Sequence, residues 1–113
     1  MAKQGFGLGL GKMRELADAF KKAQQVQEDA KKLQEELEQM EIIGESSDGL
    51  VKVTLSGNQE PKKVEISLDA MSKDATALSD LVYEALRNAY DSSTETMRDR
   101  MEQLTIGLNL PGL

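Results

Sequence analysis

Apolar positions along the chain change period twice, and the changes mark out a helix, a small sheet and a second helix. From Met13 to Glu41 the spacing is that of a heptad. With Leu16 at position a, the a sites are Leu16, Ala23, Ala30 and Leu37, and the d sites are Ala19, Val26, Leu33 and Met40. All of them are apolar and neither Gly nor Pro interrupts the run, so the pattern predicts one long helix with a narrow seam for another helix. Phe20 broadens the stripe on one side, and the small residues Ala23 and Ala30 suit close approach.

At mid-chain the period drops to two. Leu50-Val51-Lys52-Val53-Thr54-Leu55 follows Asp48-Gly49, a pair that favours a type I′ hairpin because both central positions of that turn have φ > 0. Pairing outward sets Ser46 against Val51, Gly44 against Val53 and Ile42 against Leu55, with Glu45 opposite Lys52 on the other face. A second turn, Ser56–Glu60, leads to a third strand over 62–68. There Val64, Ile66 and Leu68 alternate with Lys63, Glu65 and Ser67, and Pro61 stands where a strand begins. The result is an antiparallel meander with one apolar face that needs a cover.

Residues 69–73 form a connector, and Asp74 is suited to N-cap a second helix reaching about Leu104. Its first half carries a stripe wide enough to cover a sheet face: Leu78, Leu81, Val82, Ala85, Leu86 and Ala89. Beyond Tyr90 the stripe thins to Met97, Met101 and Leu104, which reads as a polar arm or as an arm zipped thinly to the first helix. The expected fold is therefore α+β: long helix, three-stranded antiparallel sheet, long helix. Residues 1–11, with Gly5, Gly7, Gly9 and Gly11, are expected to form a flexible tail, as are residues 105–113, leaving 12–104 as the domain. A first helix of about 40 Å would outrun strands of about 20 Å, so part of it should project as an arm. The small core that remains favours oligomerisation.

Composition narrows the chemistry. Among 113 residues there is no Cys and no His, which removes disulfides, thiolate metal sites and the usual general base. Gly11-Lys12 resembles the end of a phosphate-binding loop, but Met13 stands where Ser or Thr is needed and no strand precedes it. Glu35, Glu36, Glu38, Glu41 and Glu45 are the densest acids, and helical spacing makes them a solvated face. No nucleophile–base pairing emerges, so we expect no enzyme, no cofactor, no metal and no small-molecule substrate. With no membrane-length apolar run and no secretory h-region, the expected location is cytoplasmic, without membrane contact.

Charge is unevenly distributed about a net of −6. Residues 1–32 hold seven Lys/Arg against four Asp/Glu, whereas residues 33–48 hold six acids and no base. Basic positions that could contact phosphates are Lys3, Lys12, Arg14, Lys21, Lys22, Lys31 and Lys32 early in the chain, with Arg98 and Arg100 late. Equally, the lysines could be solubilising partners of Asp18, Glu28, Glu35 and Glu36 at i±4. Charge alone favours that second reading, because net-negative proteins rarely bind phosphate backbones by electrostatics.

Gly44-Glu45-Ser46, Gly49-Leu50-Val51-Lys52-Val53-Thr54, Gly57 and Lys62-Lys63-Val64-Glu65-Ile66 together resemble the YbaB/EbfC family of bacterial nucleoid-associated proteins. So do Ala23-Gln24-Gln25-Val26-Gln27-Glu28, Asp80-Leu81-Val82, Asn88-Ala89 and the closing Leu110-Pro111-Gly112. Two positions depart from the pattern: Ser67, where Asp is usual, and Asp91-Ser92, where many members are more basic. The resemblance implies a homodimer with helical arms that binds double-stranded DNA in the nucleoid with low sequence specificity, affecting nucleoid organisation and gene expression. Carried onto this chain, the arm contacts would fall to Lys12, Arg14, Lys21, Lys22, Arg98 and Arg100. The alternative is a dimeric coiled-coil module whose acidic arms hold another protein, without direct DNA contact.

Overall fold

A computed structural model describes residues 2–107. The order of elements is helix α1 (Ala2–Gln39), strands β1 (Ile42–Glu45), β2 (Val51–Leu55) and β3 (Pro61–Ile66), a 3-10 helix (Leu68–Ser72), and helix α2 (Ala75–Gly107). It is the helix–sheet–helix arrangement expected. Two compact units divide the chain, Met1–Lys32 and Leu33–Leu113.

The first unit is helical from Ala2. This corrects the expected start at Met13: glycines at alternate positions do not keep residues 2–11 out of the helix. Extending an existing helix adds one hydrogen bond per residue fixed, while nucleation is the costly step, so a long helix can carry several weak formers at its end. At the other end of the chain α2 runs to Gly107 rather than Leu104, and residues 108–113 of the expected tail lie outside the described residues.

In the second unit the sheet order is β1-β2-β3, antiparallel throughout. Its register is the one the alternation predicts: Ile42 opposite Leu55, Gly44 opposite Val53 and Glu45 opposite Lys52. The last pair closes an ion pair at 3.4 Å. The turn differs from expectation. Of its residues only Gly49 has positive φ, at 74°, so this is not a type I′ turn. The Gly49 N–H donates to the Ser46 carbonyl at 2.9 Å, and the Asp48 carboxylate accepts from Ser46 Oγ at 2.7 Å and from the Leu50 N–H at 3.0 Å. Side-chain acceptors thus do what a second left-handed residue would otherwise do.

The Ser46 hydroxyl, followed by the Leu50 N–H, holds the Asp48 carboxyl below the usual carboxylate range. A carboxylate depressed in the fold contributes stability above its unfolded value of about 3.9, and loses it as pH falls through the lower folded value. The gap in melting temperature between wild type and Asp48→Ala should therefore be present at neutral pH and close on acidification below that range. A gap that stays constant down to the acid limit would contradict this account of the turn.

Val51, Val53 and Leu55 face α2 and are buried with Ala70, Ala85 and Ala89; Leu78, Leu81 and Val82 pack around them. The helix crosses β1 on small residues, Ala85, Ala89 and Ser93, spaced one helical turn apart and all buried. Gly44 is what permits this approach. A Cβ at Gly44 would overlap the Ala85 carbonyl oxygen and the Ala89 nitrogen, and would lie 2.7 Å from Ala89 Cα. Drawn over β1 and β2 in this way, α2 does not reach across β3. The stripe read as wide enough for a whole sheet face covers two strands of three.

The sheet is tied to both helices at its β2–β3 turn. The Gly57 N–H donates at 2.8 Å to the Leu37 carbonyl near the end of α1, which also accepts from the Met40 N–H at 3.2 Å. Gln59, at φ 72°, donates from Nε2 to Thr94 Oγ1 on α2 at 2.7 Å. Leu33 and Leu37 are buried, Met97 and Leu104 half-buried, and Arg100 pairs with Glu36. Beyond Tyr90, α2 meets α1 through the Arg100–Glu36 pair, while Met101 of the expected seam is exposed. Asp74 caps α2 as expected, its carboxylate accepting from the Ala77 N–H at 2.8 Å. Asp74→Ala should cost about 1 kcal/mol of stability by chemical denaturation.

Candidate nucleic-acid interface

Phosphate binding needs long cationic side chains that reach solvent and are not already neutralised. Lys12, Arg14, Lys21, Lys22, Lys31 and Lys32 are all exposed on α1. Among the described residues none of them has an acidic partner within ion-pair distance; the pairs formed are Lys52–Glu45, Lys63–Glu65, Arg87–Asp91 and Arg100–Glu36. The i±4 pairing that would have made these lysines solubilising partners of Asp18 and Glu28 is not formed. Neighbouring polarity is satisfied otherwise, Gln25 donating to Asp29 at 2.9 Å.

Helical geometry sorts the six sequence candidates. Arg14 and Lys21 are separated by about two turns and Lys32 lies about three turns further, so the three stack along one line of α1. Lys12 falls at a heptad d position, on the side of the exposed seam residues Leu16, Ala19 and Ala23, and so faces away from that line. Lys22 stands roughly a quarter-turn from Lys21. Lys32 belongs to the line although it is not among the six residues singled out for the arms; the 3.6-residue period is the signal that finds it.

Arg98 and Arg100 lie on α2, in the other unit. Arg98 is exposed, whereas Arg100 is half-buried and engaged by Glu36. Its charge is already matched, which makes it the least available of the six.

The unit boundary at Lys32/Leu33 coincides with the change of charge sign. Met1–Lys32 carries +3, and the remaining residues, with seven bases against sixteen acids, carry −9. The overall −6 is an average of two unlike parts, and a phosphate backbone within about 10 Å responds to the local one.

A sequence model of the YbaB/EbfC DNA-binding family matches residues 13–108. The chain belongs to the YbaB/EbfC DNA-binding family. A nucleoid-associated protein of Nostoc punctiforme is 73% identical over 109 residues, covering 96% of this chain and 95% of that one. One from Synechococcus elongatus is 58% identical over 113 residues, with 100% of both chains covered. An uncharacterized protein from Helicobacter pylori has the same fold, with a TM-score of 0.64, 19% identity and coverage of 80% of this chain and 89% of that one. The YbaB/EbfC family is a DNA-binding family and not an enzymatic one. No helix among the described residues is long and apolar enough to cross a membrane.

Proposed function

We propose that the chain is a nucleoid-associated protein: a cytoplasmic homodimer that binds duplex DNA with low sequence specificity, and thereby affects nucleoid organisation and gene expression. One observation carries the reading beyond family membership: among the described residues, Lys12, Arg14, Lys21, Lys22, Lys31 and Lys32 are exposed on α1 without ion-pair partners, in the part of the chain that is net positive. Arg14 and Lys21 are the leading phosphate contacts, Lys12, Lys22 and Arg98 are secondary, and Arg100 is the weakest because Glu36 engages it. Lysine and arginine on a helix surface, without an aromatic platform or a base-reading motif, position a duplex by its backbone rather than by its sequence.

A gel-shift titration tests this. Two duplexes of unrelated sequence should bind within a few-fold of each other, and log affinity should fall linearly with log salt. Absence of any complex at low salt removes the proposal. The −9 of residues 33–113 favours a second reading, a dimeric coiled-coil module that holds a basic protein and touches no DNA. A stoichiometric protein partner recovered from nuclease-treated lysate, together with no DNA complex, would select it.

A further inference from the structure

In the first unit the large apolar side chains of α1 stand in solvent, Met13 at 66%, Leu16 at 70% and Phe20 at 65% exposure. Leu10 and Ala17 are exposed as well. At 3.6 residues per turn, Leu16, Phe20, Met13, Ala17 and Leu10 follow one another around the helix within an arc of about 120°. Most of this arc is not the heptad seam. Leu10 and Ala17 occupy b positions and Met13 and Phe20 e positions; Leu16 alone is at a, and the d position before it is Lys12. A helical partner covers a narrow line of a and d residues, whereas this face is wide and calls for a broad apolar cover.

Charges are sorted around the same arc. Lys12 borders it on one side, and Arg14 and Lys21 on the other, each within roughly 40° of its edge. Glu15 and Asp18 lie on the far side of the helix. Among the described residues the three flanking cations have no ion-pair partner. Residues 10–23 thus present, over about 20 Å, an apolar strip edged with positive charge and backed by acids that face water.

We propose that residues 10–23 of α1 bind an anionic lipid surface, lying along it with Leu10, Met13, Leu16, Ala17 and Phe20 against the acyl chains and Lys12, Arg14 and Lys21 at the headgroup phosphates. A lipid surface is layered in the same way: hydrocarbon below, phosphates level with the helix, water above. Flanking basic side chains run their stems over the apolar region and set their charge among the phosphates. The expected absence of membrane contact came from the lack of a spanning-length run. No helix among the described residues can cross a bilayer, but lying in its surface requires one apolar face and not a whole apolar helix. The site adds a second anionic partner to the DNA binding proposed above and does not depend on it. Duplex DNA offers phosphates to the same cations but nothing to receive the apolar arc, so Leu16 and Phe20 tell the two partners apart.

Co-sedimentation of the full, nuclease-treated chain with vesicles tests this. The chain should bind vesicles of equal phosphatidylglycerol and phosphatidylcholine about tenfold or more tightly than vesicles of phosphatidylcholine alone. Leu16→Gln/Phe20→Gln should lower affinity for the anionic vesicles about tenfold or more, and leave DNA affinity within about twofold. Both positions are exposed and glutamine is a good helix former, so circular dichroism should not change. The chain has no Trp, so Phe20→Trp provides a single reporter. Its emission should shift to the blue on anionic vesicles and stay unshifted on duplex DNA. Failure to sediment with anionic vesicles at low salt overturns the proposal. So does vesicle binding that Leu16→Gln/Phe20→Gln leaves intact, since headgroup attraction alone would then explain it. Emission from Phe20→Trp that is already blue in lipid-free buffer would set this face against protein, and would overturn it too.

Discussion

Gly44→Ala should lower the melting temperature by on the order of 10–20 °C, or abolish cooperative unfolding altogether. The added methyl would meet backbone on α2, at Ala85 and Ala89, and backbone cannot rotate aside as a side chain can. Overpacking typically costs about 1–3 kcal/mol, and a clash with fixed atoms belongs at the top of that range. In a domain of this size each kcal/mol moves the midpoint by about 4–8 °C. Relief requires α2 to lift from β1, which uncovers Val51, Val53 and Leu55, the centre of the core. Ala89→Gly should not rescue the variant, because the atoms in the way remain after that methyl is gone. Gly57→Ala should cost less: its two nearest neighbours, Leu37 Cδ2 at 2.8 Å and Met40 Sδ at 3.0 Å, are ends of side chains that can shift, and the backbone atom it meets, Leu37 O, lies further off at 3.1 Å. Thermal melts followed by circular dichroism would decide, and a Gly44→Ala midpoint within a few degrees of wild type would refute the account of the α2–β1 crossing.

Lys21→Glu/Lys22→Glu should reduce DNA affinity at low salt by about a hundredfold or more and flatten its salt dependence. Each lysine that neutralises a phosphate releases counterion, so losing a contact lowers the slope of log affinity against log salt by about one. Reversal adds repulsion to that loss, and a homodimer doubles both effects. The single variants should differ. Lys21 stacks with Arg14 and Lys32 along one line of α1, while Lys12 lies on the seam side, so Lys21→Glu should weaken binding more than Lys12→Glu. All these positions are exposed, so stability should stay within about 0.5 kcal/mol of wild type and the readout is binding itself. Wild-type affinity in the double variant would remove α1 from the proposed interface.

Some of this was readable in advance for simple reasons. Period-2 alternation fixes which face each strand residue takes, so Gly44 opposite Val53 and Glu45 opposite Lys52 follow once the hairpin is placed. Asp74 as a cap is equally local. The Asp48-Gly49 pair marks the turn at 46–51 but not its type, because an Asp-Gly pair signals a bend without saying which hydroxyl the Asp will accept from. The basic positions were visible as residues, but which of them an acid neutralises was not. Arg100 and Glu36 stand 64 residues apart, and no spacing rule links them.

The division has a physical basis. Periodicity and local hydrogen bonding, which act over a few residues, determined the helix–sheet–helix order, the strand register, the cap and the line of cations on α1. How far α2 reaches across the sheet is decided only in three dimensions. It depends on Gly44 meeting Ala85 and Ala89 backbone to backbone, a contact between segments more than forty residues apart. That crossing holds the helix over β1 and leaves Val64 and Ile66 bare, so the residues that look most like core in the third strand become surface.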